Sequence, residues 1–135
     1  MSTATIEFRY NFPLDPSAVA ELFRAAGMPR PVNDLPRITR MLAGANLMLS
    51  AWDGSHLVGV CRALTDHSYC CYISELAVHP DYQRQGIGET FLGQLRQSLG
   101  EEVSLILLSV PEAMQYYPKL GFTRADHAFV LKRLR

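Results

Sequence analysis

The chain is short of pairable cysteines, of net charge and of long apolar runs, and each shortage closes off a class of protein. Its three cysteines, Cys61, Cys70 and Cys71, are an odd count with two adjacent. That is not the framework of a small disulfide-stapled secreted domain, and it points to reduced thiols in the cytoplasm. No C-x-x-C or H-x-x-x-H spacing occurs. Adjacent Cys70 and Cys71 in a strand would face opposite ways, so no metal site is expected. Nothing marks any cysteine as an electropositively activated nucleophile, and buried packing is the default for all three. Thirteen basic and thirteen acidic residues cancel, leaving no overall field to recruit nucleic acid or a membrane surface. No apolar run reaches membrane-spanning length, and the opening MSTATIEFRY has no basic segment followed by an apolar one. Repeats, low-complexity segments and linkers are also missing.

What is present fits one domain over residues 1–135, 48% hydrophobic and 19% charged, within the range of soluble globular proteins. Ala4 to Tyr10 alternates polar with apolar and reads as a strand. Asp15 or Ser17 can cap a helix running to Ala26, and Asp34 with Pro36 opens a second that Gly44 closes. Asn46–Trp52 and His56–Leu64 form a hairpin through Asp53-Gly54. A strand from Tyr69 to Val78 follows the turn Asp66-His67-Ser68. A helix over Gly86–Leu99 leads to Val103–Val110, a run expected to be a strand buried on both faces. A fourth helix is expected from Pro111 to Gly121. Beyond Phe122 the pattern reads as one or two further strands, with Phe129, Val130 and Leu131 contributing to the core. The whole is an α/β (α+β) fold with a mixed sheet of six to seven strands and about four helices.

The stretch ELAVHPDYQRQGIGETFL, residues 75–92, organises the rest. Pro80 breaks the strand, and Ile87, Phe91, Leu95 and Leu99 lie on one helical face. Between them, Gly86 and Gly88 let a ligand approach the backbone at a helix N-terminus, where free N–H groups favour an anion. The same glycines would also suit an ordinary turn. A dinucleotide fingerprint needs a small residue where Phe91 stands, and a P-loop needs a lysine that follows neither glycine.

Gln83-x-x-Gly86-x-Gly88 after the strand ELAV resembles the acetyl-CoA motif of the GNAT N-acetyltransferases. Ala113-Met114-Gln115-Tyr116-Tyr117-Pro118-Lys119-Leu120-Gly121-Phe122 is similar to that family's late A-x-x-(F/Y)-Y-x-K-x-G-F segment. The two motifs stand in the family's order and cover roughly the C-terminal half. The resemblance implies the GNAT fold, in which the strands after Tyr69 and after Val103 splay apart to admit pantetheine. It implies that the backbone of Arg84, Gln85, Gly86, Ile87, Gly88 and Glu89 holds the pyrophosphate. It further implies that the main chain of Leu76, Ala77 and Val78 pairs with the pantetheine amides, with Gln83 and Ala113 in the same site. Tyr117 takes the position of the tyrosine that assists the departing thiolate; the bland alternative is a core aromatic. Two departures stand out: Val110 replaces a frequent asparagine, and Pro118 follows the tyrosine, which should shorten or kink its helix.

The implied activity is acetyl transfer from acetyl-CoA to a primary amine, of a small molecule or a protein, by direct attack in a ternary complex. A catalytically silent CoA-binding regulatory module, another acyl-CoA, or an O-acceptor are the alternatives. Glu75, on the strand beside the expected thioester, is a candidate base; His79, His67 and water remain alternatives, and a salt bridge would equally explain a charge there. A homodimer is left open.

Overall fold

The computed structural model describes residues 5–135. Strands β1 (Glu7–Tyr10), β2 (Leu47–Asp53), β3 (His56–Thr65), β4 (Cys70–Val78) and β5 (Ser104–Leu107) form one sheet in sequential order. The first three pairings are antiparallel and β4–β5 is parallel. The crossover between β4 and β5 carries α3 (Ile87–Leu99). Helices α1 (Pro16–Ala25) and α2 (Leu35–Gly44) connect β1 to β2. The β1 residue Ala4 expected from the alternation lies outside the described residues.

Local chemistry explains the helix ends. The Asp15 carboxylate accepts from the Ser17 N–H and Asp34 from the Arg37 N–H, each with a proline in the first turn. Each sheet face has its own core. Val19, Leu22, Phe23 and Ile38 from α1 and α2 pack on Leu57, Val60 and Ala77. On the other face Ile87, Phe91, Leu92, Leu95 and Leu99 of α3 meet Leu49, Ala51, Cys61, Ala63 and Ile73. Phe91 also meets Phe8 edge to face, ring centroids 5.6 Å apart.

One irregularity positions the site. Arg62 of β3 pairs with Glu75, but the next residue, Ala63, pairs with Ile73, so Ser74 is an extra residue in β4. This β-bulge reverses the side-chain alternation. Before it, Cys71 and Ile73 face α3; after it, Ala77 faces α1 and α2, while Leu76 and Val78 turn to the α3 side.

The C-terminal part departs from the expectation. Five strands are described, not six or seven. β5 ends at Leu107, and Ile106 and Leu108 are about half exposed, so this is an edge strand and not one buried on both faces. Residues 122–135 form no strand, and Phe129 and Leu131 are essentially fully exposed rather than part of the core. A short apolar run makes a strand only where a ladder partner satisfies the backbone. The fourth helix is likewise reduced to a 3-10 turn at Pro111–Ala113 and one helical turn, α4 (Tyr116–Lys119). Pro118 inside that segment forbids the continuous i→i−4 ladder a longer helix needs. Among the described residues, no helix is long and apolar enough to cross a membrane.

Candidate functional site

The loop entering α3 turns sharply and leaves the first N–H groups of the helix uncapped. Arg84 and Gly86 both have left-handed conformations, with φ of 65° and 82°. For Arg84 this is uncommon, since its Cβ crowds the following carbonyl. No side chain caps α3, and its first intrahelical acceptor, the Gly86 carbonyl, serves Thr90. The N–H groups of Ile87, Gly88 and Glu89 therefore have no partner within the helix. Gln83 fastens the loop to β4, its Nε2 donating to the Val78 carbonyl at 3.0 Å. Tyr82 fastens it to the β2–β3 hairpin by donating to Asp53. A Cβ on Gly88 would lie 2.8 Å from the Tyr116 hydroxyl, so a side chain here would have to displace the end of that tyrosine.

This loop is one wall of a cavity of about 560 Å³, lined by Leu76, Val78, Gln83, Arg84, Gly86 to Glu89, Ala113, Tyr116 and Tyr117 among others. Gln85 is exposed and outside the lining, and Ala77 turns its side chain into the opposite core. Ala77 can contribute only main chain. β4 keeps its ladder with β3 as far as Val78, but its parallel ladder with β5 stops at Ile73–Leu107. From Ser74 onward the β5 side of β4 is open, which is the splay expected from the sequence.

A second cavity, of about 410 Å³, reaches α2 and the loop after α1. Leu76, Ala113 and Tyr117 line both cavities. Tyr116 lines only the first. The Tyr117 ring is wedged edge to face between Tyr116 and Phe122, at 5.2 and 5.6 Å. Burial, reinforced by Tyr116 and Cys61, pushes its phenol up to about 12. Tyr117 therefore stays protonated throughout the physiological range. Val110 lines the second cavity; its carbonyl accepts from the Ser109 hydroxyl and the Ala113 N–H.

Glu75 belongs to the second cavity. It is 1% exposed, and the bulge turns it toward α2 and the loop after α1. Arg62 Nε and Nη2, Arg30 Nε and the Ser74 hydroxyl all donate to its carboxylate. Burial pushes the Glu75 carboxyl up, but Arg62, Arg30 and Ser74 outweigh it and hold it below the usual range. Arg62 and Arg30 escaped the sequence reading. The available signal was a lone arginine in the apolar strand HLVGVCRAL facing a lone glutamate in the next strand, and reading it required the bulged register.

The other candidate bases lie elsewhere. The His79 Nδ1 accepts from the Asp81 N–H, and its ring packs against His56 and Tyr82 beside α1. Neither His67 nor Asp66 lines either cavity. The Asp66 carboxylate is taken by the N–H groups of Tyr69, Ser68 and Cys70, which hold it at about 2. Among the described residues, no group of three or more His, Cys, Asp and Glu side chains could hold a metal ion.

The Glu75 knot carries a stability prediction. Glu75→Gln keeps the shape but leaves Arg62, itself 8% exposed, without its counter-charge. We expect a loss of about 1.5–3 kcal/mol at pH 7. Because the folded carboxyl is depressed, its contribution is full above the unfolded value near ~4.3 and fades as pH falls through the folded value. Urea midpoints of parent and variant should converge in acid; a constant difference from pH 7 to pH 3 would refute this origin.

Comparison with known proteins agrees with this geometry. The model of the acetyltransferase (GNAT) domain matches residues 32–135. An uncharacterized N-acetyltransferase of Pyropia yezoensis is 39% identical over 72 residues, 52% of this chain and 41% of that protein. A Glycine max protein named as a histone acetyltransferase is 32% identical over 68 residues, 49% of this chain and 29% of that protein. The matched stretches thus span less than half the length of these curated relatives. Among solved structures, a Staphylococcus aureus protein of unknown function described as a probable acetyltransferase superposes with a TM-score of 0.81 at 21% identity, covering 96% of this chain and 100% of the other. An aminoglycoside N-acetyltransferase solved with CoA gives a TM-score of 0.71 at 13% identity, covering 99% and 98%. At such identities the likeness is one of fold. With the family model spanning both motifs and strands β2 to β5, the chain belongs to the GNAT acetyltransferase family.

Proposed function

We propose that the chain is an N-acetyltransferase that moves an acetyl group from acetyl-CoA to a primary amine within a ternary complex. The observation that carries this reading is the pair of cavities sharing the wall of Leu76, Ala113 and Tyr117. Acetyl-CoA supplies the activated acetyl group and a sulfur leaving group. The residues present fit it: unpartnered N–H groups at the start of α3 suit a pyrophosphate, the open edge of β4 suits an extended amide-bearing arm, and Gly86, with nothing within 4 Å of an added Cβ, leaves the loop backbone accessible.

Tyr117 is read as the group at the sulfur. Its phenol near 12 lies well above an ordinary thiol near ~8.5. Full proton transfer to a thiolate would therefore be uphill by roughly 5 kcal/mol, at 1.36 kcal/mol per unit. Tyr117 acts as a hydrogen-bond donor that stabilises the thiolate, which leaves as such. For Glu75 we propose an anchoring role in place of the base suggested by its strand position. Its lone pairs are committed to Arg62, Arg30 and Ser74, and its lowered basicity makes it a poor proton acceptor. Water in the acceptor cavity then takes the amine proton.

The cofactor assignment has a direct test. Acetyl-CoA at about 100 times its dissociation constant should stabilise the fold by roughly 2.7 kcal/mol, with NAD and ATP far behind at equal concentration. A thermal-shift panel led by NAD would overturn it. Tight CoA binding without thiol release from any amine would favour a regulatory module instead.

A further inference from the structure

Resting on that reading of the second cavity as the acceptor's, we propose that the acceptor is an amine that also carries an oxyanion, a carboxylate or a phosphate. The cavity is lined by four arginines, Arg30, Arg37, Arg62 and Arg133, and by a single carboxylate, Glu75. The neutral composition of the whole chain conceals this local excess.

The arginines divide into two pairs. Arg62 and Arg30 are spent on structure: they hold Glu75, and their remaining donors reach the carbonyls of Met41, Pro29 and Ser74. Carbonyls satisfy donors without cancelling charge, so one carboxylate stands against two guanidinium groups. Arg37 and Arg133 add two more, and among the described residues neither is paired with an aspartate or glutamate. Arg37 Nη2 donates at 3.2 Å to the main-chain oxygen of Arg135, the last residue of the sequence, so it already reaches an oxygen acceptor at this wall. Its Nε and Nη1 have no hydrogen-bond partner among the described residues, and neither has the Arg133 guanidinium.

Such a wall selects. A doubly cationic acceptor would enter against several like charges in a partly enclosed, poorly screened space. An ammonium with an oxyanion a few bonds away enters with its negative end on Arg37 and Arg133, where planar guanidinium forks match carboxylate or phosphate oxygens. Its amine is then left to point toward Tyr117 and the shared wall.

The test uses the full chain with and without CoA. Two matched pairs separate the oxyanion sources: leucine against leucinamide for the carboxylate, and phosphoethanolamine against ethanolamine for the phosphate. Titration calorimetry reads binding independently of turnover, and free-thiol release from acetyl-CoA is followed in parallel. In at least one pair the anionic member should bind at least about tenfold tighter than its neutral partner, with the preference shrinking as salt rises. Arg37→Gln and Arg133→Gln should each cut the preference at least about threefold; Arg40→Gln, on α2 outside the cavity, should not. Equal or tighter binding of the neutral members overturns the proposal, as does no binding of either anion up to about 10 mM, or a preference that survives the double Arg37→Gln, Arg133→Gln variant. Thiol release with neutral amines alone would sink this inference and leave the enzyme standing. Binding of the anions without thiol release from any amine would do the reverse.

Discussion

Gly88→Glu is expected to abolish CoA binding. Even a methyl group at this position meets the Tyr116 hydroxyl at 2.8 Å and approaches Leu76. Glutamate adds a carboxylate beside Glu89, at the helix end where the N–H groups would meet a diphosphate, so sterics and charge act together. We expect affinity to fall by at least roughly a thousandfold, about 4.1 kcal/mol. The fold should survive, because the obstruction is the end of one tyrosine side chain and not the core. Gly93, on the same helix, has nothing within 4 Å of an added Cβ, so Gly93→Glu supplies a control with the same charge change. Calorimetric titration with CoA, after circular dichroism has verified folding, decides the matter. A folded Gly88→Glu protein with parental affinity would move the cofactor out of this cavity.

Tyr117→Phe removes one oxygen and almost no volume, so it isolates the phenol from the packing of the ring between Tyr116 and Phe122. A positioned donor at a departing group is typically worth 10²–10⁴-fold when it transfers a proton. Since a phenol near 12 donates a hydrogen bond and keeps its proton, the lower part of the scale applies. We expect kcat to fall about ten- to a thousandfold while CoA affinity stays within about threefold. No basic limb from Tyr117 should be seen in the parent below about pH 11, one unit short of its value. Tyr116→Phe should keep kcat within about threefold, any effect appearing in CoA affinity, because Tyr116 lines only the first cavity. Equal turnover by Tyr117→Phe and the parent would make Tyr117 a packing residue. Selective loss in Tyr116→Phe would shift the assignment by one residue.

Much of the fold was legible because its signals are local. Asp15, Asp34 and the prolines beside them mark helix starts, Asp53-Gly54 marks the hairpin, and the spacing from Ile87 to Leu99 marks the α3 face. Strand pairing is not local. Phe129, Val130 and Leu131 have the composition of a strand, but composition does not contain the partner that would complete the ladder. Similar reasoning divides the site. The loop glycines and Tyr117 sit in contiguous motifs and were visible as such. The second cavity draws Arg30, Arg37, Arg62, Glu75 and Arg133 from positions scattered over most of the chain. The Arg30–Glu75 pair spans 45 residues. No short window contains that geometry.

The extra residue at Ser74 acts in the sheet as a dislocation acts in a lattice: order is intact on either side, but the two parts are out of phase by one step. An unbroken alternation would have sent Glu75 toward α3 with Ile73, burying a carboxylate in an apolar layer without a cation. The slip instead delivers it to the face where Arg30 and Arg62 wait, and in the same stroke lets Leu76 line the wall common to both cavities. One strand thereby serves two compartments that a regular strand would have kept on separate sides of the sheet.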